Sequence, residues 1–252
     1  MGVRVENSFI PVRGVGEVTE KKLWRSGVTA WEEFDGSVVG PTLADRIESF
    51  VDEARDRLRA GDATYFDREF PGGERWRLYE NFRDEACFFD IETTGLSKYR
   101  DEVTTVSLHR DGETTTLVRG RDLTAERLRR EFADASLLVS FNGARFDVPF
   151  LEANYDLTVE TPHLDVMYPC KKAGFSGGLG EVERALGIDR ARPDISGEDA
   201  VRLWYQYERG GDRDALETLV SYNREDAENL RPVADAVTGI LHDEVFETVR
   251  DD

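Results

Sequence analysis

Cysteine and lysine are both scarce in this 252-residue chain. Two cysteines, Cys87 and Cys170, cannot build a disulfide framework, and their separation is not that of a metal-binding pair. No apolar run approaches the roughly 20 residues needed to cross a bilayer. The opening stretch MGVRVENSFI lacks the basic-then-apolar layout of a signal peptide. These absences speak against a membrane or secreted protein and for a reducing cytoplasm. Only five of the 33 basic residues are lysine (Lys21, Lys22, Lys98, Lys171, Lys172), and 52 acidic residues bring the formal charge to −19. The acids are spread over every segment and do not form a tail. Such a chain repels itself unless salt screens it, and at 1 M ionic strength the Debye length is only about 3 Å. Scarce lysine beside abundant arginine and aspartate points to a high-salt cytoplasm. A negative balance there does not exclude nucleic acid as a partner.

Apolar residues make up 39% of the chain, enough for a full core, and the length suits one or two domains. No internal repeat or low-complexity segment is present. Residues 9–34 read as two short helices around Gly14-Val15-Gly16, anchored by Leu23, Trp24, Val28, Trp31 and Phe34. Residues 42–60 have helical periodicity with Thr42 as cap, and 61–84 read as an aperiodic connector. The pattern changes near Cys87. A short apolar run at 86–92 reads as a buried strand, and 103–109 and 113–119 alternate around Asp111-Gly112, a hairpin signal. A helix over 123–135, a strand over 137–142, a helix over 146–154 and a strand near 163–167 follow. Helical stretches at 179–186, 197–209 and 213–245 complete the chain. This order predicts an α/β layer fold with a mixed sheet flanked by helices, behind a small helical N-terminal module. The expected division is 1–40, 41–85 and 86–245.

Acids inside apolar elements carry the chemistry. Asp90 and Glu92 end the strand CFFDIET, and the period of two puts both on one face. Adjacent, partly buried carboxylates raise each other's pKa, and a bound divalent cation removes that cost. The plainer reading is that they cap a strand edge, which the preceding Cys87-Phe88-Phe89 argues against. Asp147 follows Phe146 and precedes Val148-Pro149-Phe150-Leu151; by itself it reads as a helix N-cap. Tyr222 and Asp226, four apart, share a helix face near the Leu219 and Leu230 stripe, an ordinary arrangement when taken alone.

Together the segments Asp90-Ile91-Glu92-Thr93-Thr94-Gly95, Asn142-x-x-x-Phe146-Asp147 and Tyr222-x-x-x-Asp226 resemble the three motifs of the DEDD superfamily. These are 3′→5′ exonucleases on a ribonuclease H-like fold, and the third motif is similar to that of the Tyr-type branch. The surrounding sequence, over about residues 86–235, most resembles the YprB-like proteins, whose third motif usually begins His-Asn where this chain has Tyr222-Asn223. The resemblance implies two divalent ions, Mg²⁺ or Mn²⁺. Asp90 would bridge them, with Glu92 and Asp226 on the water-activating ion, Asp147 on the other, and Tyr222 orienting the water. It also implies that Thr94 and Leu96 lie near a terminal nucleotide and Asn142 near substrate. Lys171 and Lys172 read either as phosphate contacts or as a solvated turn. Asp165 reads either as a further acid or as a strand-end residue, and His109, His163 and His242 are too scattered for a site.

The segment IPVRGVGEVTEKKLW resembles a helix-hairpin-helix motif whose pattern Gly14, Gly16, Lys21 and Lys22 match, and it reads either as a DNA contact or as a protein-packing unit. Glycine lets backbone amides approach phosphate and a helix N-terminus favours an anion, whereas Glu17 and Glu20 oppose it. The implied activity is a metal-dependent 3′→5′ exonuclease, with single-stranded DNA favoured over RNA. An RNA-directed or structure-specific nuclease, or a non-catalytic nucleic-acid binding protein on the same fold, is the alternative. Retention of all four acids argues against the last.

Overall fold

The computed structural model describes residues 2–251. Four helices, α1 (Glu17–Arg25), α2 (Pro41–Arg59), α3 (Ala63–Glu69) and α4 (Tyr79–Phe82), precede the sheet strands β1 (Ala86–Thr93), β2 (Val103–Arg110) and β3 (Glu113–Val118). Then come α5 (Ala125–Ala133), β4 (Leu137–Ser140), α6 (Asp147–Tyr155), β5 (His163–Asp165) and α7 (Met167–Lys172). Helices α8 (Leu179–Leu186), α9 (Gly197–Gly210) and α10 (Arg213–His242) follow, then a π-helical turn at Asp243–Glu247 and α11 (Thr248–Asp251). The chain forms two compact units. One joins the residues up to Asp84 with those from Asp235 onward, and the other is Glu85–Ala234.

The first unit is helical and packed by aromatic rings. Trp31 stacks on Phe66 with centroids 6.5 Å apart and meets Phe50 edge-on at 5.8 Å. Trp24 meets Phe246 edge-on at 5.0 Å. Beneath the rings lies an ion cluster. Glu20 and Arg77 are both 1% exposed and joined at 2.9 Å, and Arg77 also donates to Ser8 Oγ at 2.7 Å and Glu74 at 2.8 Å. Glu20 further accepts the amides of Phe9 (2.7 Å) and Ile10 (3.0 Å), so its carboxylate holds the backbone ahead of the Gly14 turn.

Several local expectations are corrected here. Residues 10–14 make turns where the first of two short helices was expected, whereas the second is α1, which starts after Gly16, and the chain beyond it makes a separate 3₁₀ turn at Trp31–Glu33. Inward amide bonds to Glu20 replace the helical ladder there. The helix expected from Thr42 starts at Pro41 with Gly40 as its cap, because Pro fits the first helical position without losing a bond. The expected connector 61–84 contains α3, α4 and a 3₁₀ run at Gly72–Leu78; its short turns are too brief to show a period.

The second unit is built on a five-stranded mixed sheet in the order β3-β2-β1-β4-β5. Strands β1, β2 and β3 pair antiparallel, whereas β4 and β5 run parallel to β1. Asp111 and Gly112 both take positive φ, 54° and 78°, as a tight hairpin turn requires. On β1 the odd positions Cys87, Phe89 and Ile91 enter the core formed with Leu128 and Phe132 of α5 and Phe150 and Leu151 of α6. The even positions therefore face the opposite side. Because β1, β4 and β5 are parallel, the loops that follow them gather at one edge of the sheet, where α/β folds commonly place their sites.

Candidate active site

That edge collects the acids. Asp90 and Glu92 lie on the even face of β1, and the register slips between Glu92 and Thr93, so the strand ends in a bulge just past them. Asp226 comes from α10, with Leu219 and Leu230 of the same helix fully buried. Among the described residues, carboxylate oxygens of Asp90, Glu92 and Asp226 approach within 4.8 Å of one another, close enough to share one metal ion. Asp147 is the first residue of α6 and buried. It lies outside that group of three. The helix cap it could have been is instead Phe146.

Burial, then mutual repulsion, sets the electrostatics. Asp90 and Glu92 are pushed well above the usual carboxylate range by burial and by the charges of Asp226 and Asp147. Burial raises Asp147 to about 7 and Asp226 to about 6, the latter despite the opposing Arg190. A set of buried carboxylates that outnumbers its nearby cations fits a divalent cation bound through oxygen. Burial and the same acids also raise Tyr222, so it remains a neutral phenol at every physiological pH.

These shifts fix the sign of a pH effect. A carboxyl whose pKa is raised in the folded state favours folding fully below its unfolded value near 4, and that contribution is lost as pH rises through the folded value. The metal-free protein should therefore lose several degrees of melting temperature between pH 5 and 8. Saturating Mg²⁺ or Asp90→Asn should reduce that loss. A calorimetric melt series in EDTA checks this, and a metal-free melting temperature that rises over the same range contradicts it.

Several residues besides the motif acids and Tyr222 hold the acids in place. Asn223 is fully buried; its Nδ2 donates to Asp90 at 2.7 Å while its Oδ1 accepts from Ser107 Oγ at 2.9 Å. Ser107 in turn meets Thr116 Oγ1 at 2.8 Å, so a chain of hydrogen bonds runs across β3 and β2 to Asp90. Arg190 pairs with Asp226 and with Glu183, the latter at 2.6 Å, and lies 5.4 Å from the centre of the Tyr222 ring. Arg190 and Glu183 escape sequence reasoning because neither sits in a periodic or motif position near Asp226. Asn223 stood beside Tyr222, and its residue type at a buried helix position was the available signal.

Asp165 is accounted for as a brace. It accepts the amides of Asn142 (2.7 Å), Ala144 (3.1 Å) and Met167 (3.1 Å), fixing the loop after β4. That loop needs glycine at 143, where a Cβ would come within 2.0 Å of Ser140 Oγ. Asn142, at φ 62°, supplies its left-handed entry.

Thr94 and Leu96 line a cleft of about 870 Å³ together with Glu92, Phe146, Ser196 and Gly197, and Leu96 is 87% exposed. Asn142 is partly buried and not part of that lining. Lys171 and Lys172 are exposed on the last turn of α7 and do not line it either. In the first unit Gly14 (φ 102°) and Gly16 are exposed, and Gly16 precedes α1. Lys21 is partly buried and Lys22 donates to Val38 O at 2.8 Å.

The mixed sheet with acids at one edge is the arrangement of RNase H-like nucleases. The chain belongs to the RNase H superfamily, whose family model RNase_H_2 matches residues 87–238, more than half of its length. Among solved structures it is similar to the family B DNA polymerase of the hyperthermophilic archaeon Pyrobaculum calidifontis. That likeness has 19% identity and a TM-score of 0.50, and covers 60% of this chain and 24% of that one. The chain thus spans about a quarter of that polymerase. An apo form of a nuclease is also similar, at 22% identity and a TM-score of 0.49, over 66% of this chain and 78% of that one. No curated protein matches the sequence. None of the described helices is long and apolar enough to cross a membrane.

Proposed function

We propose that the protein is a metal-dependent 3′→5′ exonuclease of the Tyr-type DEDD group, hydrolysing phosphodiester bonds of nucleic acid with single-stranded DNA favoured. The observation that carries the reading is the gathering of Asp90, Glu92 and Asp226 within 4.8 Å at the end of β1 in a chain of this superfamily. Asp90, Glu92 and Asp226 would hold one divalent ion, and Asp90 with Asp147 a second, Mg²⁺ or Mn²⁺ in each case. Such ions activate water and stabilise the leaving 3′-oxygen. Asn223 fixes the rotation of Asp90, and Tyr222, kept protonated, orients the attacking water by its hydroxyl without removing a proton. Exposed Leu96 beside Thr94 on the cleft suits contact with an unpaired terminal base.

Gly14 and Gly16, with Lys21 and Lys22, form the proposed second phosphate contact, and Lys171 and Lys172 a further one. The inward turn of Glu20 removes one of the two acids that oppose phosphate at the N-terminal segment. The acidic composition supports a cytoplasm of high salt.

The test is degradation of end-labelled single-stranded DNA and RNA at high salt with Mg²⁺ or Mn²⁺. Release of 3′-terminal mononucleotides is expected, faster on DNA; no cleavage of either polymer, with either metal, overturns the reading. Tyr222→Phe should slow the reaction by about 10²-fold, the low end of what a positioned proton-handling group contributes. A loss as large as that of Asp226→Asn in the same assay would give Tyr222 a greater part.

A further inference from the structure

Arg190 belongs to none of the motifs, yet it occupies the metal-side carboxylate. It lies in the stretch between α8 and α9, and both ends of its guanidinium are engaged. One nitrogen meets Asp226 Oδ1 and another meets Glu183 Oε2 at 2.6 Å. Glu183 is itself fully buried, and its other oxygen accepts from Asn229 on α10 at 3.0 Å. The neighbouring backbone is tied to the same helix, for Glu225 accepts the amides of Ala191 and, at 3.2 Å, Arg192. A built frame therefore holds one positive charge against Asp226. A planar fork that spans two carboxylates is a task for Arg that Lys cannot reproduce.

We propose that Arg190 is a positioning residue that competes with the metal for Asp226. It neutralises and orients that carboxylate while the site is metal-free, and it tempers the affinity with which Asp90, Glu92 and Asp226 take a divalent ion. The inference rests on the reading of those acids as a metal site. Its direction is electrostatic. A fixed positive charge one carboxylate away from a divalent ion repels the ion and also draws on the oxygen that would bind it. Loss of an outer partner of a metal ligand typically weakens metal binding by about 10–100-fold, but those partners do not carry a charge that repels the ion. Here removal of the contact tightens binding. A merely structural arginine behaves otherwise, since its loss loosens the site and weakens binding.

The experiment is calorimetric titration of MnCl₂ into wild-type protein, Arg190→Gln, Arg192→Gln and Asp90→Asn, with melting temperatures in EDTA and in Mn²⁺. Arg190→Gln should bind Mn²⁺ about 10–100-fold more tightly than wild type. It should melt lower than wild type in EDTA and gain more on adding Mn²⁺. Arg192→Gln removes the same charge two residues along and should leave affinity within about twofold, because Arg192 pairs with Asp194 and with none of the three acids. Folded Arg190→Gln that binds Mn²⁺ equally or more weakly overturns the proposal, as does equal tightening in Arg192→Gln. Failure of the underlying reading looks different: wild type binds no Mn²⁺, or Asp90→Asn binds it as well as wild type. Should Arg190→Gln not fold, the ¹⁵N guanidinium signals of Arg190 in wild type decide. Their hindered rotation in the Glu183–Asp226 clamp should be released at saturating Mg²⁺, and signals that do not move overturn the proposal.

Discussion

Asp90→Asn is expected to abolish nuclease activity, by on the order of 10⁴-fold or more, the scale of losing an essential catalytic group, while the protein stays folded. The substitution is nearly isosteric. Asn at 90 can still present an oxygen to Asn223 Nδ2, whose bond to the native residue is 2.7 Å. What disappears is the charge shared by every partner in the group of three acids. Since Asp90 is crowded by Asp226, Asp147 and Glu92, its neutralisation should raise the melting temperature in EDTA and reduce the stabilisation that Mg²⁺ confers. Opposite signs for activity and metal-free stability separate a functional acid from a structural one. Activity within tenfold of wild type would sink the assignment.

The largest expected loss of stability lies elsewhere. Arg77→Met should destabilise the first unit by about 3–5 kcal/mol, because it leaves Glu20 buried without its cation. For a unit of roughly a hundred residues this corresponds to a fall of more than about 10 °C in melting temperature. Arg77 is 1% exposed and also lies 5.7 Å from the Trp24 ring and 5.6 Å from the Trp76 ring, so packing is lost as well as charge. Replacing Arg77, Glu20 and Glu74 together by apolar residues of similar volume should cost less than Arg77→Met alone, as a buried ion cluster need not be net stabilising. Thermal melts of the two variants check the order, and the reverse order would show that the ions themselves stabilise the unit.

The second unit was far more legible in the sequence than the first. Its strands are apolar or alternating runs, its hairpin carries Asp111-Gly112, and helix α8 falls where the periodicity put it, at 179–186. The first unit rests on interactions that leave no local period. Glu20 reads as a surface acid on α1 but is buried by Arg77, 57 residues later in the chain. For the same reason the candidate site was legible only where ligand-type residues cluster in short motifs. Asp90, Glu92, Asp147 and Asp226 stand in such motifs, whereas Arg190 reaches Asp226 across 36 residues of chain. Ser107 reaches Asn223 across 116. A short helix such as α7 was missed because Met167-Tyr168-Pro169-Cys170 continues the apolar run of β5 without a break.

The first unit is also discontinuous, and this bears on how the chain is made. Trp24 finds its edge-on partner in Phe246, about 220 residues later. At roughly 5–20 residues per second, a ribosome needs on the order of 10–45 s to deliver that partner after Trp24 has emerged. During this interval the nascent helices up to Asp84 have their own rings but lack the apolar residues Val237, Leu241 and Phe246. The sheet unit, whose residues 85–234 are contiguous, can close first, so vectorial synthesis favours maturation of the acid-bearing unit before the one that precedes it.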